Sequence, residues 1–245
     1  MLEIKPKHWL GQNFLNSEKI AEKFAGYLQE GKNILEIGPG LGIITNRLTK
    51  RAKKVTAVEI DKDLEKILKK KFLQNRKVKV KIGDALKEDF SKFDAIVGAL
   101  PYNLAAQIIE KFMQSKCNVG LFIVQLEFAK RIIAQPGESD YSRLSILCQN
   151  GATAELKDII DRDNFWPEPE VTSAIVKIEK TGQKVKIDDE LVRALFQHKN
   201  QNIRKALKHS GKKWEKVVEK IPAEMTIKRG RELSLEELQT ISELL

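Results

Sequence analysis

The segment Glu36-Ile-Gly38-Pro-Gly40-Leu-Gly42 places three glycines at alternate positions with a carboxylate just upstream. It follows the apolar run Asn33–Ile37 and precedes the amphipathic stretch Ile43–Arg51. Glycines at such a turn let the backbone bend sharply and approach a ligand with no Cβ in the way. The first amides of the helix that follows face the same ligand. A dinucleotide fingerprint G-x-G-x-x-G needs glycine at position 43, where Ile43 stands. Glu59 ends the next apolar run, Lys54–Glu59, about twenty residues on, where a carboxylate can accept both hydroxyls of a ribose. Asp84, in Gly83-Asp84-Ala85, follows a third run and can accept from the exocyclic amine of an adenine. Ala99-Leu100-Pro101-Tyr102 follows a fourth, with a proline-rigid backbone carbonyl and an aromatic ring. No metal-ligand spacing is visible, because His8, His198 and His209 are scattered and Cys117 and Cys148 have no nearby partner.

These residues need a scaffold that brings strand ends together. Strand-like segments are Asn33–Ile37, Lys54–Glu59, Val78–Ile82, Phe93–Gly98 and Val119–Gln125. They alternate with helical periodicity over Ser17–Glu30, Ile43–Arg51, Asp61–Phe72, Asn103–Gln114 and Leu126–Ala134. Strand–helix alternation with short links predicts a parallel sheet with helices on both faces. The loops after the strands then share one edge, where ligands of such sheets bind. Tyr141–Asn150, Ala154–Ile160 and Thr172–Ile178 follow, the last strand-like. From about Lys180 the chain turns polar, and four short helices are expected over Glu190–His198, Gln201–Ser210, Lys212–Ile221 and Ser234–Leu244. Ser234 with Glu237 has the spacing of a capping box. The expected organisation is an α/β domain over 1–180 and a small all-helical domain over 181–245.

The 245 residues are 42% hydrophobic and 32% charged, which excludes disorder as the main state. The N-terminal residues carry no apolar leader, and the longest apolar run, Leu121–Val124, is far shorter than a membrane span. Two cysteines in apolar surroundings read as buried free thiols, so a reducing, cytoplasmic setting is expected. The net charge of +10 is concentrated: residues 47–81 hold 14 Lys/Arg against 4 Asp/Glu, and 180–245 hold 15 against 10. Two separated basic blocks point to a polyanionic partner. Nothing demands a membrane or an oligomer, so a monomer is expected.

The glycine loop resembles the S-adenosylmethionine loop of class I methyltransferases, which carry a Rossmann-like sheet. The Leu100-Pro101-Tyr102 segment resembles the Asn/Asp-x-Pro-Tyr/Phe motif of amine-directed nucleic-acid methyltransferases. An adenine amine is a poor nucleophile because its lone pair is delocalised into the ring. Acceptors on its hydrogens draw the nitrogen toward a tetrahedral form, while an aromatic ring stacks on the extruded base. Further segments match in order: Leu10–Leu15 (LGQNFL), Glu59-Ile-Asp61, Gln125–Arg131, Tyr141–Ser145, Phe165–Ser173 (FWPEPEVTS) and Phe196–Lys199 with Ile203–Leu207. Together they resemble the KsgA/Dim family of small-subunit ribosomal RNA adenine dimethyltransferases over nearly the whole chain. The wording of the helical segment is closer to archaeal members than to bacterial ones.

That resemblance implies transfer of methyl groups from S-adenosylmethionine to two adjacent adenosines of small-subunit ribosomal RNA, on an immature subunit. Asn13, Leu15, Gly38, Gly40, Glu59, Asp84 and Ala99 would border the cofactor. Leu100, Pro101 and Tyr102 would carry catalysis, and Tyr102 with Phe165 or Trp166 would enclose the target base. Lys199, Arg204, Lys205 and Lys208 would hold RNA phosphates. The segment FWPEPEVTS also reads plainly as a Pro-rich strand entry. Two positions depart from the family. Ser142 replaces a glycine, and Ala99 replaces the asparagine whose side chain accepts from the amine. A methyl group accepts no hydrogen bond, so a second reading is a catalytically weakened assembly or RNA-binding factor of the same fold. A third, an NAD-dependent oxidoreductase, is disfavoured by Ile43 and by the lack of a catalytic His or Tyr/Lys dyad.

Overall fold

Short segments rich in Val and Ile form most of the strands, and Glu59 and Ala99, singled out above, end two of them. The computed structural model describes residues 5–211 and 214–245. The expected helix start at Lys212 lies outside the described residues. The strands are β1 (Phe14–Leu15), β2 (Asn33–Ile37), β3 (Lys54–Glu59), β4 (Val78–Ile82), β5 (Ala95–Ala99), β6 (Val119–Gln125), β7 (Ala152–Ile160), β8 (Phe165–Trp166) and β9 (Ser173–Lys180). Among the described residues, seven strands form one sheet in the order β4-β3-β2-β5-β6-β9-β7, and β1 and β8 form a second. The pairs β2–β3, β3–β4, β2–β5 and β5–β6 are parallel. The strand expected over Thr172–Ile178 is β9, and it runs antiparallel to β6. Its direction was not legible, because the side chains of a buried strand do not record which way its neighbour runs.

Contacts divide the chain into two compact units, one up to Ala129 with Ala154–Lys180, the other Lys130–Thr153 with Thr181–Leu245. In the first, α1 (Glu18–Gly26) and α2 (Ile43–Arg51) cover the sheet through Ala21, Phe24, Ile44 and Leu48. These pack with Ile34, Val55, Val97, Leu121 and Ile175 in one cluster. Ser17 caps α1 by accepting from the Ile20 N–H. α3 (Glu65–Lys71) is led by a 3-10 turn that Asp61 caps. α4 (Ala105–Gln114) buries Ala105, Ile108, Ile109 and Phe112.

The second unit corrects the boundary expected from sequence. Residues 130–153 belong with the helices rather than with the sheet. There Ala134, Tyr141 and Ile146 share a core with Leu191, Leu195, Ile203 and Leu207. The Tyr141 ring meets Phe196 edge-on at 5.8 Å. Apolar contacts across more than fifty residues decide this membership, and no local signal announces them. The unit's helices include α6 (Arg143–Gln149), α7 (Asp189–Gln197), α8 (Ile203–His209), α9 (Glu215–Lys220) and α11 (Leu235–Ser242). α5 (Leu126–Ile133) begins in the first unit and ends in the second, while a short α10 (Ala223–Thr226) was not expected. The capping box at Ser234 and Glu237 is formed.

Candidate functional site

The strand order reverses at β2, which has its successor β3 on one side and β5 on the other. A crevice opens at the carboxyl ends of strands at such a switch point. Here it is a pocket with about 1090 Å³ of empty space, open solvent included. Its walls hold 10–15, 37–41, 58–60, 83–86, 99–102, Phe165 and Ser173, among others.

The floor is the turn between β2 and α2. Gly38, Gly40 and Gly42 all have positive φ, at 65°, 55° and 74°. A Cβ on Gly40 would sit 2.8 Å from the Phe14 ring, and one on Gly42 would sit 2.8 Å from the Phe72 ring. A Cβ on Gly38 would meet nothing closer than the Ala99 carbonyl at 3.8 Å, so a ligand can approach its backbone. Gly98 escaped the sequence reading: a Cβ there would lie 2.3 Å from the Ile37 carbonyl. The available signal was a glycine inside an apolar strand, which marks close backbone approach.

Glu59 is buried where β3 meets the pocket. Its Oε2 accepts from the Gly40 N–H at 3.1 Å and its Oε1 from the Asp61 N–H at 2.9 Å. Burial raises its pKa, and these backbone donors oppose the rise. The Ile60 backbone opposes the rise as well. Asp84 accepts from the Leu86 N–H through Oδ1 at 2.8 Å. Its Oδ2 and the Asn13 side chain have no hydrogen-bond partner among the described residues, and both residues line the pocket. Glu36 lies beneath, 1% exposed, with Oε2 unpartnered among the described residues. Burial pushes its pKa up to about 7. Thr45 opposes that rise, although neither Glu36 Oε2 nor Thr45 Oγ1 completes a hydrogen bond.

After β5, the Leu100 N–H donates to the Ile123 carbonyl at 2.9 Å. The Pro101 carbonyl accepts from the Leu104 and Ala105 N–H groups, which fixes the start of α4. The Leu100 carbonyl accepts nothing among the described residues. Tyr102 is half-buried; burial raises its pKa and the Ser173 hydroxyl lowers it. Ser173 is buried, lines the pocket and was not singled out from sequence.

The pairing of β1 with β8 joins two motifs far apart in sequence, with Phe14 opposite Trp166 and Leu15 opposite Phe165. Phe165 is buried and lines the pocket. Trp166 does not line it; its ring stacks on Phe14 at 6.2 Å with 46% of the residue exposed. The two aromatics grouped from sequence therefore occupy different places, because adjacent strand residues point to opposite faces.

In the second unit, Arg204, Lys205 and Lys208 are exposed on α8. Lys199 differs. Its ammonium donates to the Ser139 and Tyr141 carbonyls at 2.8 and 3.3 Å, so it ties its own unit together. No helix among the described residues is long and apolar enough to cross a membrane.

A largely parallel sheet with this order, glycine loop and carboxylates at successive strand ends defines a Rossmann-like fold of the class I methyltransferase type. The family described as ribosomal RNA adenine dimethylase matches residues 4–243. The chain belongs to that family. It is 37% identical over 256 aligned positions to a probable ribosomal RNA small subunit methyltransferase A of Thermococcus sibiricus, covering 99% of this chain and 93% of that one. A relative of the same description from Pyrococcus abyssi is 35% identical over 250 positions, with the same coverage. Among solved structures, a dimethyladenosine transferase from Plasmodium falciparum aligns with a TM-score of 0.76 at 26% identity, over 93% of this chain and 95% of that one.

Proposed function

We propose that this protein transfers methyl groups from S-adenosylmethionine to the exocyclic amines of two adjacent adenosines in small-subunit ribosomal RNA. One observation carries the reading: a single pocket gathers the glycine loop, Glu59, Asp84, the Leu100-Pro101-Tyr102 segment and Phe165. S-adenosylmethionine supplies an electrophilic sulfonium methyl when bound. The open backbone at Gly38 leaves room for such a ligand, Glu59 offers lone pairs to ribose hydroxyls, and the Asp84 Oδ2 offers one to the adenine amine. Asn13, Leu15 and Gly40 complete the cofactor side. On the substrate side, the Leu100 carbonyl accepts from the target amine and Pro101 fixes its direction. Tyr102 and Phe165 stack on the extruded base, and Trp166 stands outside that sandwich. Catalysis is then mainly positioning for in-line displacement. No strong base is needed, because the proton leaves after the methyl has moved.

Arg204, Lys205 and Lys208 hold phosphates in this reading, Lys199 contributes less directly, and the partner is an immature small ribosomal subunit in the cytoplasm. The chain acts as a monomer. Labelled methyl incorporation into that subunit tests the proposal. Incorporation confined to adenine supports it, whereas subunit binding without transfer, in this chain and in Ala99→Asn alike, overturns it. Ala99 at the pocket wall favours the second reading, a weakened enzyme whose remaining role is in subunit assembly. Robust, equal transfer by both chains would overturn that second reading.

A further inference from the structure

The strap formed by residues 7–15 is fastened at two points, and the pocket-lining Asn13 lies between them. Its far end is the β1 ladder on β8. Its near end is held by Asp61, whose side chain is 3% exposed. Asp61 Oδ1 accepts from the Lys7 ammonium at 2.5 Å, and Oδ2 accepts from the Gln12 amide at 2.7 Å. Gln12 Oε1 in turn accepts from the Lys7 N–H at 2.9 Å. The Lys7 ammonium also lies 2.6 Å from Asp63. This is not an ordinary surface ion pair. With the Asp63 N–H, which donates to Oδ1 at 3.0 Å, this buried carboxylate has three donors, and it is far more sensitive to loss of a partner than an exposed one.

Neither Asp61 nor Lys7 lines the pocket, yet Gln12, Asn13, Glu59 and Ile60 do. The carboxylate thus ties the strap to the strand end that carries Glu59, without itself reaching a ligand. We infer that Asp61 is a positioning residue: by fastening Lys7 and Gln12 it holds Asn13 against the pocket and sets how long a bound S-adenosyl ligand is retained. This rests on the reading of the pocket as an S-adenosylmethionine site. A free strap leaves the ligand's own contacts on the glycine loop intact, so the effect falls on dissociation more than on chemistry.

The experiment measures S-adenosylmethionine dissociation by stopped flow, together with KM and kcat, in Lys7→Met, Asp61→Asn, their double and Lys7→Arg. Each of the first two is expected to speed dissociation roughly tenfold or more, the loss expected for a charge-assisted hydrogen bond. KM for S-adenosylmethionine rises in step while kcat stays within about twofold, as for lost ground-state binding. The double variant falls well short of the product of the singles, because the Lys7–Asp61 contact is already lost in either one. Lys7→Arg keeps the charge and largely restores retention. Lys7→Met removes no core side chain, so it decides the matter if Asp61→Asn fails to fold. Wild-type dissociation in Lys7→Met, or single effects that multiply in the double, overturns the inference alone. A wild-type protein that does not bind S-adenosylmethionine overturns the reading of the pocket and this inference with it.

Discussion

Ala99 carries the sharpest consequence of any single residue. It lines the pocket at the end of β5, beside a Leu100 carbonyl that accepts nothing among the described residues. One acceptor therefore remains where the family resemblance implies two. Restoring the second by Ala99→Asn is expected to raise the methyl-transfer rate roughly ten- to 150-fold, the worth of ~1.5–3 kcal/mol. Steady-state kinetics on the immature subunit checks this. Glu36 makes a different prediction. Its pKa is pushed up to about 7, so the folded state binds its proton more tightly than the unfolded state does. No charge is buried there below the ordinary carboxylate range, and stability falls as pH rises from there to about 7. Over that window the difference in stability between Glu36→Gln and wild type should shift toward the variant by up to about 3 kcal/mol, then level off. Denaturant titrations at pH 4.5, 6 and 8 measure it, and a flat difference refutes it. That Glu59 and Asp84 lie at the pocket was legible, because the ends of β3 and β4 fix their place. Asp61 was not, since its role is set by Lys7 and Gln12, about fifty residues away in the chain.

At the scale of elements, β2 to β6 and β9 were legible as strands from their short Val- and Ile-rich runs, whereas the longest, β7 (Ala152–Ile160), was not assigned, because its Glu155, Lys157 and Asp158 break the apolar run. The two-residue β1 and β8 were not, since neither has enough residues to show a period and each exists only through the other. Their pairing brings Phe14 onto Gly40, which turns a loop glycine into a packing requirement. Gly40→Ala combines a left-handed backbone with a Cβ only 2.8 Å from the Phe14 ring. The expected loss is about 1–3 kcal/mol. Gly31→Ala is the reference, because it shares a positive φ of 73° but meets nothing within 4 Å. It should lose only the backbone part, about 1 kcal/mol. Adding Phe14→Leu to Gly40→Ala should recover part of the difference in thermal melts. Equal losses at Gly40 and Gly31 would mean that the Phe14 contact contributes nothing.

For the whole molecule, the charge distribution was visible in the sequence but its division of labour was not. A lysine count treats Lys199 and Lys208 alike. In the structure Lys199 is spent on the Ser139 and Tyr141 carbonyls, within the unit that unexpectedly includes residues 130–153. Arg204, Lys205 and Lys208 stay exposed on α8, with Ile203, Ala206 and Leu207 turned into that unit's core. Neutralising the three exposed cations therefore removes charge without removing packing, whereas Lys199→Ala removes a brace. If the three contact phosphates, their combined replacement by alanine should flatten the dependence of log K on log[salt] by about 2–3, at roughly 0.7–0.9 per phosphate. Melting temperature and S-adenosylmethionine affinity should hold. Lys199→Ala should do the reverse, lowering the melting temperature while changing the salt slope little. Binding of small-subunit RNA across a salt series, with melts on the same samples, separates the two. An unchanged slope in the triple variant would remove α8 from the RNA-binding surface and leave the 47–81 block as the electrostatic partner.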